Sequence, residues 1–467
     1  MLKKTKQESF KFIDLFAGIG GFHHALSAIG GECVLTCEFD KHCEKIYKNT
    51  FSGVGKKTKF VSNIREITRT DIDDELALRT KEEIDELVPD HDVICGGFPC
   101  QPFSKSGEQK GIKDKTRGTL FFDIMQIVEA KKPSYVFLEN VRNISGPRHV
   151  DTWRTVIDSI RNLGYQVSSE PLIFSPHLLS PEMDGAPQVR DRVFILGIRN
   201  DIYSDQILNL SIFNENLKLK KYWDPDKWRI KDYLIPDSEI LNINSYKIKD
   251  DEEVYLEAWN YFVENFEHDN LPGFPIQVFA WKNIPEISED MYDWEKTFLT
   301  KNSAFYVENK SFLDEFVKMK WGKEQRTVLE FPFSRQILEW QARRYHSNKK
   351  GRTLKDLVIQ FRPSGIRVKP PTYLPALVAI TQTSVVGPKL RKNARSFRKL
   401  TPTEASRLQG IPDEVFITDI VDEKQKYKQL GNAVNVGIVR SVAKILLGLE
   451  HPDEYLIKTD SQNNLFN

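Results

Sequence analysis

Phe12-Ile13-Asp14-Leu15-Phe16-Ala17-Gly18-Ile19-Gly20-Gly21-Phe22 lies near the start of the 467-residue chain and decides how its first half folds. Phe10 to Phe16 is apolar apart from Lys11 and Asp14, and it runs into three glycines. That pattern predicts a buried strand, a glycine turn, and a helix from Phe22 to Ile29 with Ala25, Leu26 and Ile29 on one face. His23 stands where a dinucleotide fingerprint needs glycine or alanine, so a nucleoside-bearing ligand without a pyrophosphate is the better fit. A second strand, Glu32 to Cys37, ends at Glu38-Phe39-Asp40, and an acid at that tip suits a grip on ribose hydroxyls.

Further along, Phe60 to Ile64 reads as a short third strand and Asp73 to Leu87 as a charged helix. Val93-Ile94-Cys95 is a buried strand that Gly96-Gly97-Phe98-Pro99-Cys100-Gln101-Pro102-Phe103-Ser104 stops in a stiff turn. Most intracellular cysteines are small buried hydrophobes. Cys100, in a rigid loop just past a strand end, reads instead as a reactive thiol, because that is where active sites of open α/β sheets collect. The polar segment 105–118 beside it reads as a mobile lid. Ser134 to Leu138 is a buried strand that delivers Glu139-Asn140-Val141, Thr152 to Leu163 is a helix, and Val193 to Ile198 is a strand preceded by Gln188-Val189-Arg190-Asp191-Arg192. Near the end, Leu400 to Ile411 reads as a capped helix and turn, and Ile438 to Leu449 as an apolar helix.

Alternation of strand and helix as far as residue 200 predicts an α/β fold with a doubly wound, mostly parallel sheet. Residues 201–424 lack that alternation and are expected to form a second, smaller domain of irregular and β structure. The first domain, 1–200, is then completed by 425–467. Five cysteines at irregular spacing fit a reducing cytoplasm and give neither a disulfide framework nor a zinc site, so no metal is expected. No apolar run is long enough to cross a bilayer. Net charge is +1, but Arg343 to Lys399 holds fifteen Lys or Arg against one acid, Asp356. Such a stripe is the footprint of contact with nucleic-acid phosphates. His23 and His24, after the glycine turn, read as helix-surface residues, and Cys37 and Cys95 as core.

The first stretch, the Cys100 loop, Glu139-Asn140-Val141, Gln188 to Arg192, Arg407-Leu408-Gln409-Gly410 and Gln429-Leu430-Gly431-Asn432-Ala433-Val434 together resemble the DNA (cytosine-5) methyltransferases of prokaryotic restriction-modification systems. Six motifs stand in the family's order. The resemblance implies a methyl transfer from S-adenosylmethionine to C5 of a flipped-out cytosine in a specific double-stranded DNA sequence. It assigns Cys100 as the nucleophile at C6, Glu139 as the proton donor at N3, Arg192 as a holder of the cytosine O2, and Arg190 as a brace for the nucleophile loop. A thiolate suits this chemistry as a strong nucleophile and a good leaving group.

For the methyl donor the resemblance implies Phe16, Ala17, Gly18, Gly20, Gly21, Glu38, Phe39, Asn63, Ile64, Phe98 and Asn432. Asn63 departs from the aspartate of many relatives, so weaker binding is expected there. For DNA it implies Gln101, Ser104 and Arg117 in the lid region, and within 201–424 Arg362 and Arg367 are the expected groove-reading residues. A monomer in the prokaryotic cytoplasm, working on the nucleoid beside a separate restriction endonuclease, is the expected setting. A tRNA methyltransferase normally has a shorter middle, and a silent DNA-binding paralogue would have lost Cys100, Glu139 or Arg192.

Overall fold

The structure is a computed structural model of the chain and describes residues 9–51, 53, 56–99, 119–202, 223–282, 288–377, 384–416 and 420–449. The chain divides into two compact units, Met1–Pro225 with Ala405–Asn467, and Asp226–Glu404. The sequence expectation placed the return to the first unit at 425, whereas the packing places it at Ala405.

In the first unit β1 (Phe10–Leu15) leads through the glycine turn to α1 (Gly21–Ser27) and β2 (Gly31–Cys37). There follow α2 (Lys41–Thr50), β3 (Lys59–Val61), α3 (Arg65–Thr68), α4 (Lys81–Leu87), β4 (Val93–Gly97), α5 (Leu120–Lys131) and β5 (Tyr135–Val141). After α6 (Val150–Asn162) come β6 (Tyr165–Val167), β7 (Leu172–Phe174), β8 (Gln188–Val189) and β9 (Arg192–Arg199). The eight-stranded sheet runs β3-β2-β1-β4-β5-β9-β6, with β7 also on β9. Pairings from β3 to β5 are parallel, and those of β9 are antiparallel.

The chain therefore winds outward from β1 to β3, returns to β4 and winds the other way. In open α/β sheets a ligand crevice lies at the carboxyl ends of the strands beside such a switch, here those of β1 and β4. Buried Ile13, Leu15, Ile94, Val136, Leu138 and Ile195 from the strands meet Phe121, Ile124, Val156 and Ile160 from the helices in one core. The C-terminal helix Val436–Leu446 packs on α1. The expected helix from Asp73 begins only at Lys81. Thr80 forms a capping box with Glu83, and Arg69 bridges Leu78 across the turn before it, so residues 71–79 are committed to a turn.

The second unit carries a six-stranded sheet, ordered β10 (Ile276–Gln277), β11 (Ile337–Trp340), β13 (Gly365–Lys369), β12 (Val358–Arg362) and then the two-residue strands Val385–Val386 and Arg398–Lys399. Beside it stand two sixteen-residue helices that the sequence reading did not anticipate, Asp250–Asn265 and Asp293–Glu308. Trp259, Phe262, Phe266, Trp281, Phe316 and Trp340 fill the core between helices and sheet. Much of the aromatic content of the middle segment is thus core.

Candidate active site

The parallel strands bring Phe16, Glu38, Phe98 and Glu139 to one edge of the sheet. Phe16 (φ +55°) and Gly18 (φ +56°) both adopt the left-handed conformation, which turns the chain sharply out of β1. The turn is tied from both sides. Ala17 N–H donates to the Cys37 carbonyl at 3.0 Å, and Gly20 N–H returns to the Ala17 carbonyl at 2.8 Å. Glu38 Oε2 accepts the Gly18 amide at 2.7 Å, while its Oε1 accepts the Asp40 amide at 2.6 Å. Burial raises the Glu38 pKa, and those two amides hold it down in part.

The three glycines do different work. A Cβ at Gly18 would meet nothing within 4 Å, so the turn opens on free space there. One at Gly20 would stand 2.3 Å from the Phe51 ring, and one at Gly21 2.5 Å from Val434 Cγ1. Gly20 and Gly21 therefore allow packing, and Gly18 faces the room a ligand needs. Beside it Glu38 keeps a second lone pair on each oxygen, and the Phe39 ring is 73% exposed, a large apolar surface left at a strand tip. Open turn, ribose-type acceptor and bare ring fit an adenosine-bearing methyl donor.

Other expected donor residues are placed less directly. Ile64 is buried in the core, and so is Phe98, whose ring packs 5.4 Å from Phe121. Asn63 Oδ1 accepts the Arg65 amide at 3.1 Å and so opens α3, although a carbonyl oxygen can take a second donor. Asn432 ends the helix Glu423–Asn432 and is exposed.

Glu139 and Arg192 form a second cluster at this edge. Val141 of β5 faces Arg192 of β9 in the antiparallel register, which puts Glu139 and Arg192 diagonally on one sheet face. Arg192 Nε donates to Glu139 Oε1 at 2.9 Å. Gly97 lies opposite Glu139 on β4, and a Cβ there would come within 3.0 Å of Glu139 Oε2. Burial raises the Glu139 pKa, and Arg192 and Arg190 oppose that rise. The result is a carboxyl inclined to hold its proton, with a cation fixing its orientation.

Arg190 is buried, and burial beside Arg192 lowers its pKa to about 9. Among the described residues its Nη2 donates to the carbonyls of Gly431 and Ala433, at 2.8 and 2.7 Å. It thereby holds the backbone on both sides of Asn432. Asp40 pins the same motif from the other direction, through Lys428 Nζ at 3.2 Å and Gln429 Nε2 at 3.3 Å.

Sequence reasoning passed over Asn140 as a separate contributor. Its Nδ2 donates to the Phe98 carbonyl at 2.9 Å, which fixes the chain two residues before Cys100. A buried amide directly after a strand-end acid was the available signal.

Cys100, Gln101, Ser104, Arg117 and the expected lid 105–118 lie outside the described residues. Cys33, Cys37, Cys43 and Cys95 are all buried, and burial drives every one of these thiols well above its ordinary pKa. His23 is not a surface residue. Its ring stacks on Phe51 with centroids 3.7 Å apart and Nδ1 meets the Tyr47 hydroxyl at 2.6 Å, because the helix turns that face inward.

In the second unit Arg362 and Arg367 stand on β12 and β13, half exposed and beside Glu339 of β11. The basic run around them is not a uniform stripe. Arg352 is buried and donates to the carbonyls of Val263, Phe266, His268 and Asp269. Arg391 and Arg398 are buried against Asp237, and Arg398 also pairs with Glu404 at 2.7 Å. These three cations hold the unit together, since a buried guanidinium persists only where carbonyls or carboxylates satisfy it.

The sequence model of the C-5 cytosine-specific DNA methylases matches residues 10–447. The chain is 35% identical to the Type II methyltransferase M.AluI of Cellulosimicrobium cellulans, over 93% of this chain and 91% of that one. It is 28% identical to M.HpaII of Haemophilus parainfluenzae, over 94% and 90%. With M.HhaI of Haemophilus parahaemolyticus the identity is 37%, over 52% and 62%. No helix among the described residues is long and apolar enough to cross a membrane. Strand-end acid, paired arginine, open glycine turn and a family match across nearly the whole chain agree, and the chain belongs to the C-5 cytosine-specific DNA methylase family as a DNA cytosine-5 methyltransferase of the restriction-modification type.

Proposed function

We propose that the chain methylates C5 of a flipped-out cytosine in a specific double-stranded DNA sequence through a covalent bond between Cys100 and C6. The observation that carries this reading is the buried Glu139 with a raised pKa, held by Arg192 on the sheet edge where the Cys100 loop begins. Cytosine C5 is a weak nucleophile until a thiolate adds at C6. Glu139 holds a proton for N3 as charge builds there, and Arg192, with Nε on Glu139 and Nη1 on the Asp191 carbonyl, would hold the base oxygen O2 through its remaining donor capacity. Arg190 acts at one remove, as a positioning residue. The four described thiols, buried and hard to ionise, support giving the nucleophile's part to Cys100.

S-adenosylmethionine, when bound, supplies the methyl group as a sulfonium. Phe16, the open turn at Gly18, Glu38, Phe39, Asn63 and Asn432 would hold it. A base stacked in a duplex cannot reach such a crevice, so the target must be turned out of the helix. Unit Asp226–Glu404, with Arg362 and Arg367, takes the part of target recognition, while Gln101, Ser104 and Arg117 would meet DNA near the flipped base. A monomer paired in the cell with a separate restriction endonuclease of the same target sequence completes the reading.

A duplex carrying 5-fluorocytosine at the target tests it. Fluorine cannot leave C5 as a cation, so elimination of the thiol stops after methyl transfer. With S-adenosylmethionine present, a denaturant-stable adduct is expected, and peptide mapping should place the link at Cys100. Turnover on ordinary DNA without an adduct, or a link at Cys95, would overturn the covalent mechanism.

A further inference from the structure

On the sheet of the second unit, alternate residues of three adjacent strands turn away from the core. Leu338, Trp340, Ile359, Ile366 and Val368 point inward. Glu339, Arg367 and Gln360 lie between them in sequence and are paired side by side across β11, β13 and β12. Arg362 and Lys369 flank this row, so the outward face holds three cations and one acid.

The acid is not placed as a loose surface charge. Glu339 Oε2 accepts Arg367 Nε at 2.7 Å, and Oε1 accepts Gln341 Nε2. Arg362 Nη1 stands 3.8 Å from the same Oε2. Arg367 is thus gripped by its inner nitrogen, on a strand, with its side chain 27% exposed. Among the described residues its two terminal nitrogens take no hydrogen bond.

We infer that Arg367, buttressed by Glu339, reads one guanine of the target sequence in the major groove. This rests on the reading of the second unit as the target-recognition part. A guanidinium held through Nε presents Nη1 and Nη2 as two parallel donors at fixed spacing. Guanine O6 and N7 form the acceptor pair that matches them. A phosphate contact has the opposite requirement. It gains from net positive charge and tolerates a flexible side chain, and an adjoining carboxylate weakens it. Glu339 lowers the net charge of the site and raises its directionality, which is the arrangement for a base edge. Arg362, farther from the acid, is left for the backbone. Glu339 is a positioning residue that touches Arg367 and not the base.

The test is a methylation profile. The full chain, with S-adenosylmethionine, acts on a duplex library of random sequence, and bisulfite sequencing reports the bases around each methylated cytosine. The unaltered chain is expected to require a guanine at one or more fixed positions. Arg367→Gln should reduce the preference at one of these by about tenfold or more and leave the others in place. Arg367→Lys, which keeps the charge and loses the fork, should do the same. Glu339→Ala should relax that same position to a smaller degree, and Glu339→Gln, which keeps an acceptor, should restore part of the preference. Each profile is built only from product, so a variant that yields one is folded. An unchanged profile with uniformly lower turnover and a shallower salt dependence would make Arg367 a phosphate contact and overturn the inference. Relaxation by Glu339→Ala at a different position, or at none, would remove the buttress. If the unaltered chain methylates no cytosine, the reading beneath falls and this inference falls with it.

Discussion

Arg192 Nε lies 2.9 Å from Glu139 Oε1, across two antiparallel strands whose register sets the pair diagonally on one face. The guanidinium fixes the carboxyl's direction, while burial works against its ionisation. An acid so placed can both give a proton and be returned to the same position after giving it.

Glu139→Gln is expected to slow single-turnover methyl transfer by a factor on the order of 100 or more, the scale of a positioned proton donor. The raised pKa sets the sign of the pH effect. Glu139 keeps its proton to higher pH than a free glutamate, so the rate should fall as pH rises through its pKa. That fall should be absent in Glu139→Gln. A near-normal rate for the variant would assign the N3 proton to another group.

Arg190→Ala should lower stability by about 3 kcal/mol in urea unfolding, because it leaves the buried Gly431 and Ala433 carbonyls without their donor. The KM for S-adenosylmethionine should rise as well, since the same two bonds hold the backbone around Asn432. Arg190→Lys cannot span both carbonyls and should recover only part of either loss. Normal stability in Arg190→Ala would show that the return segment is held by other contacts.

Asp14 of β1 is fully buried, and among the described residues neither carboxylate oxygen accepts a hydrogen bond. The His23 backbone amide works in the other direction and favours the charged form. Burial first, and Glu38 second, raise its pKa well above 3.8. The folded state therefore holds this proton to higher pH than the unfolded chain does. Stability from this group is complete below the unfolded pKa and is lost as pH rises through the folded one. Asn at this position stays neutral throughout, so the stability of Asp14→Asn relative to the parent should rise as pH climbs above the unfolded carboxylate value of about 4. A difference that is flat with pH would mean that Asp14 is charged and solvated in the folded chain.

Exchange of Asp226–Glu404 for the corresponding part of a family relative should move the methylated site to that of the donor of the segment. The residues proposed for the reaction lie outside those bounds, and the segment carries Arg362 and Arg367. An active chimaera that keeps the original site would place sequence recognition in the first unit.

The strand-turn-helix of Phe12 to Phe22 was legible because apolar spacing and glycine are local properties of the chain. So were the strand ends carrying Glu38 and Glu139, since a run of β-branched and aromatic residues marks where a buried strand stops. The helix Asp250–Asn265 could also have been read. Tyr255, Leu256, Trp259, Phe262 and Val263 follow helical spacing, and four acids fill its first turn. The lack of strand-helix alternation across 201–424 obscures it.

Sequence by itself determined the identities at the site, namely a strand-end acid, two arginines two residues apart, a glycine turn and a cysteine loop in one order along the chain. Tertiary structure decided which of them face open space and which are spent on holding the protein. Gly20 and Gly21 look like Gly18 in sequence, yet they serve the packing of Phe51 and Val434. Arg190 and Arg192 look alike too, yet one grips backbone carbonyls of a segment more than two hundred residues away and the other grips Glu139. Arg352, Arg391 and Arg398 belong to a basic run but are buried as braces, while Arg367 stands at the surface in the hold of Glu339. The physical reason is the same in each case. Residue type sets what a group can donate or accept, and only long-range packing sets whether water, backbone or another charge stands opposite it.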